Sequence, residues 1–213
     1  MDDRSLDLGA LQRRLEDTDL IPSQLPLRDG LSAKMTLLNA AGISSMADLR
    51  TALKTSKSLT TLSQRSGIDP EYLKLLKRTI GGFFPKPRSL GEVDWLGSDT
   101  VNRLRDAGIK NTQQLFEAST ADAAGLAAQT GADPNDLQEL AAISDLCRIQ
   151  WVSPSFARVL TAAGFESPAA IARADPEGLF EALVKANEGA KFHKGKVGLR
   201  DIRRLVAAAA YVP

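Results

Sequence analysis

The feature that most constrains this chain is a triplet of alanine, glycine and a large apolar residue that occurs three times, at intervals of 66 and 56 residues. The copies are Ala41-Gly42-Ile43, Ala107-Gly108-Ile109 and Ala163-Gly164-Phe165. A leucine stands four residues before each glycine, and apolar residues stand seven before and seven after it. These aligned positions are Leu38, Leu104 and Leu160; Met35, Val101 and Ala157; and Leu49, Leu115 and Ile171. Self-similarity of this kind predicts repeated structural units.

Each triplet predicts a helix, a tight glycine turn and a second helix. A glycine directly after a helix adopts the left-handed conformation without steric cost, and the apolar residue behind it covers the last turn. Residues that favour helix N-caps then follow each triplet. These caps are Ser44 or Ser45, Asn111 or Thr112, and Ser167 followed by Pro168.

A second match lies later in each unit and predicts a further helix. Gly67-Ile68-Asp69-Pro70 aligns with Gly131-Ala132-Asp133-Pro134, and Lys196-Val197-Gly198-Leu199 takes the same place in the third unit. An Asp-Pro pair is typical of an N-cap followed by the first helical residue. The predicted helices cover residues 71–80, 135–146 and 199–210. Strand-like alternation is absent from the sequence, so the predicted fold class is all-α.

The predicted domain organisation is an amino-terminal arm followed by three units. The arm, residues 1–27, contains a short amphipathic helix over residues 6–15, with Leu8, Leu11 and Leu15 on one side. The units cover residues 28–88, 89–148 and 149–213, and prolines and glycines at residues 81–88 separate the first two. The arm either caps the first unit or docks on another molecule, and capping is favoured because terminal repeats need their exposed face covered.

The pattern of an apolar residue with glycine, then Leu-x-x-Ala-Gly-Ile, resembles the helix-hairpin-helix superfamily. It resembles in particular an uncharacterised helix-hairpin-helix-like domain family, a domain of unknown function found mostly in bacterial proteins. The resemblance covers most of residues 28–213 as three tandem copies. It implies tandem helix-hairpin-helix (SAM-like) units of four to five helices. It leaves the function open, because the superfamily serves both DNA binding and protein contacts.

In DNA-binding members, the resemblance implies a hairpin with two glycines whose backbone N–H groups hold a phosphate. This chain departs from that pattern in the first hairpin of each unit, where Ser32, Asp99 and Pro154 interrupt it. In the later hairpins, Asp69 and Asp133 are predicted to cap their own helices, which places a negative group where a phosphate would bind. Two of the three later hairpins are therefore poor phosphate sites.

The third later hairpin keeps two glycines, is predicted to lack an acidic cap, and is followed by arginines that share a helix face. It is the best phosphate-binding candidate of the chain, although an ordinary solvated helix face with a flexible loop is the favoured alternative. The candidate residues are Lys191, Lys194, Gly195, Lys196, Gly198, Arg200, Arg203 and Arg204. The assisting residues are Lys74, Lys77, Arg78, Lys86 and Arg88.

Charge is distributed unevenly along the chain. Residues 29–88 carry a net charge of +6, residues 89–147 of −7 and residues 148–213 of +4, while residues 1–28 carry −2. Nonspecific nucleic-acid affinity grows with the number of phosphates neutralised, so an acidic middle disfavours continuous DNA binding. Alternating sign suits contacts between units, self-association or a charged protein partner. Aromatic residues make up 5% of the chain, which argues against single-strand stacking.

Metal and catalytic sites are not indicated. The chain has one cysteine and one histidine, too few for a structural zinc site. Cys147 lies in an apolar run and is predicted to be a core residue, and His193 is predicted to be a solvated loop residue. Trp95 and Trp151 occupy aligned positions, which favours packing between helices. No phosphate-binding loop, zinc-protease motif or nucleophile elbow is present in the sequence, so neither a cofactor nor an enzyme activity is expected.

The sequence also contains no run of eighteen apolar residues, and its start is acidic without an apolar signal core. We therefore expect no membrane contact and a cytoplasmic location. The predicted function is a non-catalytic scaffold that binds a protein partner or itself. The alternative is binding to the phosphate backbone of DNA or RNA through the candidate residues of the third unit.

Overall fold

The computed structural model of the chain describes residues 7–93, 95–96 and 98–212. Within these ranges the regular structure is helical, and β pairing is limited to the isolated bridges Asp7–Ser45 and Ser89–Asn111. The predicted all-α class is therefore confirmed. Short 3-10 segments lie at Pro22–Arg28 and Leu90–Glu92. The α-helices are α1 (Leu8–Asp17), α2 (Leu31–Ala40), α3 (Met46–Ala52), α4 (Ser56–Ser66), α5 (Pro70–Gly82), α6 (Ser98–Asp106), α7 (Thr112–Thr130), α8 (Pro134–Leu146), α9 (Pro154–Ala162), α10 (Pro168–Ala172), α11 (Pro176–Ala190) and α12 (Leu199–Ala209).

The described chain divides into two compact units on either side of the Phe84–Pro85 bond, called here the amino-terminal and the carboxy-terminal unit. Each has its own hydrophobic core. Buried residues from both of the predicted regions 89–148 and 149–213, such as Leu104, Leu140, Leu160 and Ile202, belong to one core. The carboxy-terminal unit is therefore a single packed body that contains both regions.

The arm that precedes α2 packs into the amino-terminal unit. The buried face of α1 includes Leu11 and Leu15, which belong to the core of that unit. Arg28, at the end of the 3-10 segment, contacts the end of α1. Its guanidinium donates to the carbonyls of Glu16 at 2.6 Å and Thr18 at 3.0 Å. α1 begins at Leu8, with Asp7 as its N-cap; Leu6, where the sequence predicted its start, lies outside the described residues. This packing favours the capping interpretation of the arm.

The three glycine turns predicted from the triplets are present. Gly42, Gly108 and Gly164 have φ angles of 80°, 88° and 87°, in the left-handed region. In each turn the residue after the glycine donates its N–H to the carbonyl of the leucine that lies four residues before the glycine, at 2.9 to 3.0 Å. The glycine N–H donates to the carbonyl three residues before it, at 2.9 Å, and the two hydrogen bonds together form a Schellman turn. Those three leucines are fully buried, as are Leu49, Leu115 and Ile171 after the turns.

The predicted N-caps also form. The Ser45, Asn111 and Ser167 side chains accept from the backbone three residues later. Asp69 accepts from Glu71 N–H at 3.1 Å, and Asp133 from Asn135 N–H at 2.8 Å. Because these two carboxylates occupy the N-termini of α5 and α8, neither terminus is left open to an anion.

Helix α7 contains an interruption that the sequence did not predict. Asp122 has φ −161° and ψ 88°, and its carboxylate accepts from Gly125 N–H at 2.8 Å, which is the geometry of an N-cap. α7 is thus two helical segments joined at Asp122. If the two segments of α7 are counted separately, the helices described after residue 30 form three series of four. The first is α2 to α5, the second is α6, the two segments of α7 and α8, and the third is α9 to α12.

The third series differs from the other two before its last helix. Gly67 and Gly131 end α4 and α7 in the left-handed conformation, and the next N-cap follows two residues later. In the third series Lys191 takes that position, with φ 50°, and the next N-cap, Gly198, follows seven residues later. The sequence alignment paired Lys196 with Gly67; the structure assigns that position to Lys191. The additional residues form an irregular segment, Phe192 to Val197, called here the 192–197 loop.

Candidate functional site

The 192–197 loop is held against the end of α11. The Asn187 side chain on α11 donates to the His193 carbonyl at 2.8 Å and accepts from the His193 N–H at 3.0 Å. Phe192 is half-buried, with the Arg158 guanidinium 4.0 Å above its ring. The loop is therefore attached to the helical framework at its first two residues.

His193 packs against α9. Its ring lies 5.3 Å from the Phe156 ring at an interplanar angle of 52°, and its Nδ1 lies 3.2 Å from Ser155 Oγ. The prediction of a solvated loop histidine is wrong, because the loop folds back and half-buries the ring. Gly195 makes this packing possible, since a Cβ at that residue would lie well inside van der Waals contact with His193 Nε2.

Trp151 is the most exposed large hydrophobic residue described, with 51% of its surface accessible. Its φ of 70° is unusual for a residue with a side chain and costs roughly 1–2 kcal/mol. The Arg204 guanidinium lies 4.5 Å above its ring. Trp95 packs differently: it is half-buried and donates to Glu139 at 3.0 Å. The packing prediction therefore fits Trp95, whereas Trp151 faces solvent.

The lysines and the arginines of the predicted phosphate site have different surroundings. Lys191, Lys194 and Lys196 are exposed, and none forms an ion pair with another described residue. Arg203 pairs with Glu177 on α11 at 2.5 Å, and this hydrogen bond lowers the pKa of the Glu177 carboxyl. Arg204 stacks on Trp151, as noted above, and Arg200 is exposed. The lysines are thus available to a ligand, whereas Arg203 and Arg204 make contacts within the unit.

The N-terminus of α12 does carry an acidic cap. Asp201, the third residue of the helix, reaches back and accepts from Gly198 N–H at 3.0 Å. The sequence prediction of no acidic cap is wrong, because it took account only of the residue before the helix. The carboxylate in the first turn of the helix forms one of the two hydrogen bonds of a capping box. Gly198 itself is extended, with φ −104°. The hairpin therefore lacks an open anion-binding N–H at this residue.

Two cavities lie side by side at the 192–197 loop. One, of about 260 Å³, is lined by residues of α9 and α11, among them Val159, Phe180, Leu183 and Val184. The other, of about 280 Å³, is called here the Trp151 cavity. It is lined by Trp151, Lys196, Asp201, Arg204 and Leu205. Both cavities are also lined by Phe156, His193, Val197 and Ile202.

These cavities were not found from the sequence, because their walls form only when α9, α11, α12 and the 192–197 loop pack together, and no local sequence pattern specifies that packing. One local signal was present: the otherwise polar hairpin contains the apolar residues Phe192 and Val197. Apolar side chains in an exposed loop often pack on the framework or on a partner.

The predicted assisting residues belong to both units. Lys74 pairs with Glu71 at 2.6 Å, and Lys77 donates to the Lys54 carbonyl at 2.8 Å. Arg78 and Lys86 are exposed. Arg88 pairs with Glu92 at 2.6 Å. Lys74, Lys77 and Arg78 lie in the amino-terminal unit, and Lys86 and Arg88 in the carboxy-terminal unit.

Cys147 is a core residue, as predicted. It is 4% exposed, and burial raises the pKa of its thiol to about 12. The described residues contain no group of three or more histidine, cysteine, aspartate or glutamate side chains placed to hold a metal ion. Among the described helices, none is both long and apolar enough to cross a bilayer.

Comparison with known protein families identifies a domain in the carboxy-terminal unit. A family model described as a domain of unknown function (DUF4332) matches residues 95–212. This range covers most of the carboxy-terminal unit, including both cavities. No curated protein and no solved structure matches the chain.

Proposed function

We propose that this chain, which belongs to the family of the domain of unknown function DUF4332, is a non-catalytic scaffold that binds other proteins. The observation that carries the proposal is the pair of adjoining cavities beside two exposed apolar side chains, Trp151 and Val184, which are 51% and 47% exposed. An apolar depression with an exposed aromatic residue at its edge is typical of a protein-binding surface.

The engagement of the basic side chains supports the same function. A phosphate-binding hairpin needs free N–H groups and free cations at the helix start. Here Asp201 accepts from the N-cap N–H, and Arg203 pairs with Glu177. Each of these contacts would have to be exchanged for a contact with phosphate, which lowers the gain from binding nucleic acid.

We also infer that the three series of helices are three copies of one helix-hairpin-helix-like unit. The support is the repetition of the same caps in the same order. A Schellman turn ends the first helix of each series at Gly42, Gly108 and Gly164, and a left-handed residue ends the third at Gly67, Gly131 and Lys191. A tandem array presents many helix faces and loops, which suits a scaffold.

The test is a quantitative affinity capture from cell extract with the full chain as bait, comparing Val184→Ser with Leu37→Ser. Both residues are exposed apolar residues on helices. Val184 lines one of the two cavities, whereas Leu37 lies on α2 in the amino-terminal unit and lines neither of them. We expect specific proteins to be recovered with the wild type and with Leu37→Ser, and to be depleted with Val184→Ser. Equal recovery with both variants, or no specific protein at all, would contradict the proposal.

Nucleic-acid binding is a second candidate, supported by three exposed lysines within residues 191–196 that have no ion pair among the described residues. It predicts duplex or single-strand binding that weakens steeply with salt. Lys194→Glu with Lys196→Glu should reduce the affinity and flatten the salt dependence, whereas Lys57→Glu, a control on α4, should not. No shift of either nucleic acid at low salt would refute this candidate.

A further inference from the structure

The Trp151 cavity combines an exposed aromatic ring with positive charge. Trp151 stands at its edge in a left-handed backbone conformation, which residues with side chains rarely adopt. Strained residues of this kind are concentrated at sites of ligand contact. The conformation holds one face of the indole against Arg204 and leaves about half of the side chain accessible.

The charged residues of this cavity are unbalanced. Lys196 and Arg204 are cationic, and Asp201 carries the one carboxylate among the described lining residues. That carboxylate is already hydrogen-bonded to Gly198 N–H. The Arg204 Nε atom is buried and has no hydrogen-bond partner within the described part of the chain. The electrostatic balance of the cavity therefore favours an anionic group.

The remaining walls are apolar. Phe156, Val197, Ile202 and Leu205 line the cavity together with the indole ring. Its volume of about 280 Å³ is just below the range of pockets that enclose a whole small-molecule ligand, roughly 300–1,000 Å³. A space of this size with apolar walls fits one large side chain better than a complete cofactor.

We propose that the Trp151 cavity binds an acidic peptide segment of a partner protein. One large apolar side chain of the segment enters the space between Trp151 and Leu205, and an adjacent carboxylate contacts Lys196 and Arg204. The exposed Lys191 and Lys194 add long-range attraction for such a segment. This inference rests on the proposed protein-binding function and specifies the chemistry of its partner.

The surface chemistry separates this occupant from others. A nucleic-acid duplex supplies anions but keeps its bases within the stack, so it offers no apolar group to the walls. A basic peptide would meet Lys196 and Arg204 without compensation. A second copy of this chain is the remaining alternative, and the experiment below distinguishes it.

The experiment uses three blocked peptides and the full chain labelled with ¹⁵N. The first peptide has phenylalanine and leucine flanked on each side by two glutamates. The second has lysine in place of each glutamate, and the third has alanine in place of phenylalanine and leucine. The indole N–H signal of Trp151 reports binding at the cavity by NMR, and its assignment is confirmed by its loss in Trp151→Gly.

We expect the glutamate peptide to shift the Trp151 signal and those of the 192–197 loop, with an affinity at least tenfold higher than that of the lysine or alanine peptide. Lys196→Glu should weaken binding at least tenfold. Trp151→Gly should do the same, measured with a fluorescent peptide, and glycine is suited to the left-handed backbone there. Leu37→Ala is the control that leaves binding unchanged, and the circular dichroism of each variant confirms folding.

Equal affinity for the glutamate and lysine peptides would overturn the proposal, as would shifts confined to other residues. Movement of the Trp151 signal with protein concentration alone, without peptide, would also overturn it, because the occupant would then be a second copy. If the peptides fail while partner capture still depends on Val184, only this inference fails. If both fail, the proposed function fails with it.

Discussion

The glycine turns allow one substitution to be compared at two sites where its effect should have opposite sign. Gly164 ends α9 with φ 87°, and Gly189 lies within α11. An added Cβ would meet no described atom within 4 Å at either site. Substitution by alanine therefore changes the backbone preference of each residue without creating a steric overlap. Both glycines belong to the carboxy-terminal unit.

The expected magnitudes follow from the two backbone conformations. Alanine in the left-handed region costs about 1–2 kcal/mol. In a helix, alanine is more favourable than glycine by about 0.5–1 kcal/mol, because glycine loses more conformational entropy on folding. Gly164→Ala should therefore lower the free energy of unfolding by about 1 kcal/mol, and Gly189→Ala should raise it by about 0.5 kcal/mol.

Tryptophan fluorescence during urea unfolding measures this difference in the full-length chain. Both tryptophans, Trp95 and Trp151, lie in the carboxy-terminal unit, so the signal reports the unit in which the substitutions are made. With unchanged slopes, the shift in the urea midpoint multiplied by the slope gives the change in unfolding free energy. Gly108→Ala, at φ 88° after α6, should repeat the Gly164→Ala result.

Two results would refute the reasoning. If Gly164→Ala and Gly189→Ala have the same midpoint, the left-handed turn does not contribute as described. If Gly164→Ala is the more stable variant, the assignment of the turn itself is wrong. A change of slope in either variant would show that the substitution alters the compactness of the native or denatured state. The stabilities of the variants would then be compared by calorimetry.

Three further predictions concern single residues. Tyr72→Phe should destabilise the amino-terminal unit by about 1 kcal/mol, because the Tyr72 hydroxyl donates to the buried Leu27 carbonyl at 2.8 Å; unchanged amide exchange in that unit would contradict this. The Cys147 thiol, whose pKa is about 12, should resist a disulfide reagent at pH 8 until urea unfolds the unit. Rapid reaction of the folded protein with the reagent would disprove the burial of the thiol. The unfolded thiol ionises near pH 9 and the folded thiol near pH 12, so the free energy of unfolding should fall as the pH rises between these values. Lys191→Gly should stabilise the carboxy-terminal unit by about 1 kcal/mol, because φ is 50° at Lys191; a lower urea midpoint would contradict this.

The parts of the fold that the sequence predicted depend on residues close together along the chain. A glycine turn needs a helix, a glycine and the next apolar residue, and an Asp-Pro cap needs two neighbours. Both signals are complete within a few residues, so Gly42, Gly108 and Gly164 and the caps Asp69 and Asp133 were found without knowledge of the packing.

The parts that the sequence missed depend on contacts between distant residues or on local exceptions. Lys191 adopts the left-handed conformation normally left to glycine, so the turn was placed five residues late. The alanine-rich sequence around Asp122 favours one continuous helix, and only the conformation of Asp122 shows the break. The surroundings of Trp151 and His193 depend on Arg204 and Phe156, which lie 53 and 37 residues away in sequence.

The absence of a side chain at Gly195 leaves room for the His193 ring, which lines both cavities. The His193 imidazole fills the space that a Cβ at this residue would occupy, and it forms part of the wall on both sides. Alanine at this position would displace the ring by roughly 1 Å, to ordinary van der Waals distance. Because His193 lines both cavities, the displaced ring would change the shape of each of them. The residue at position 195 therefore helps to determine the space that either cavity offers to a side chain.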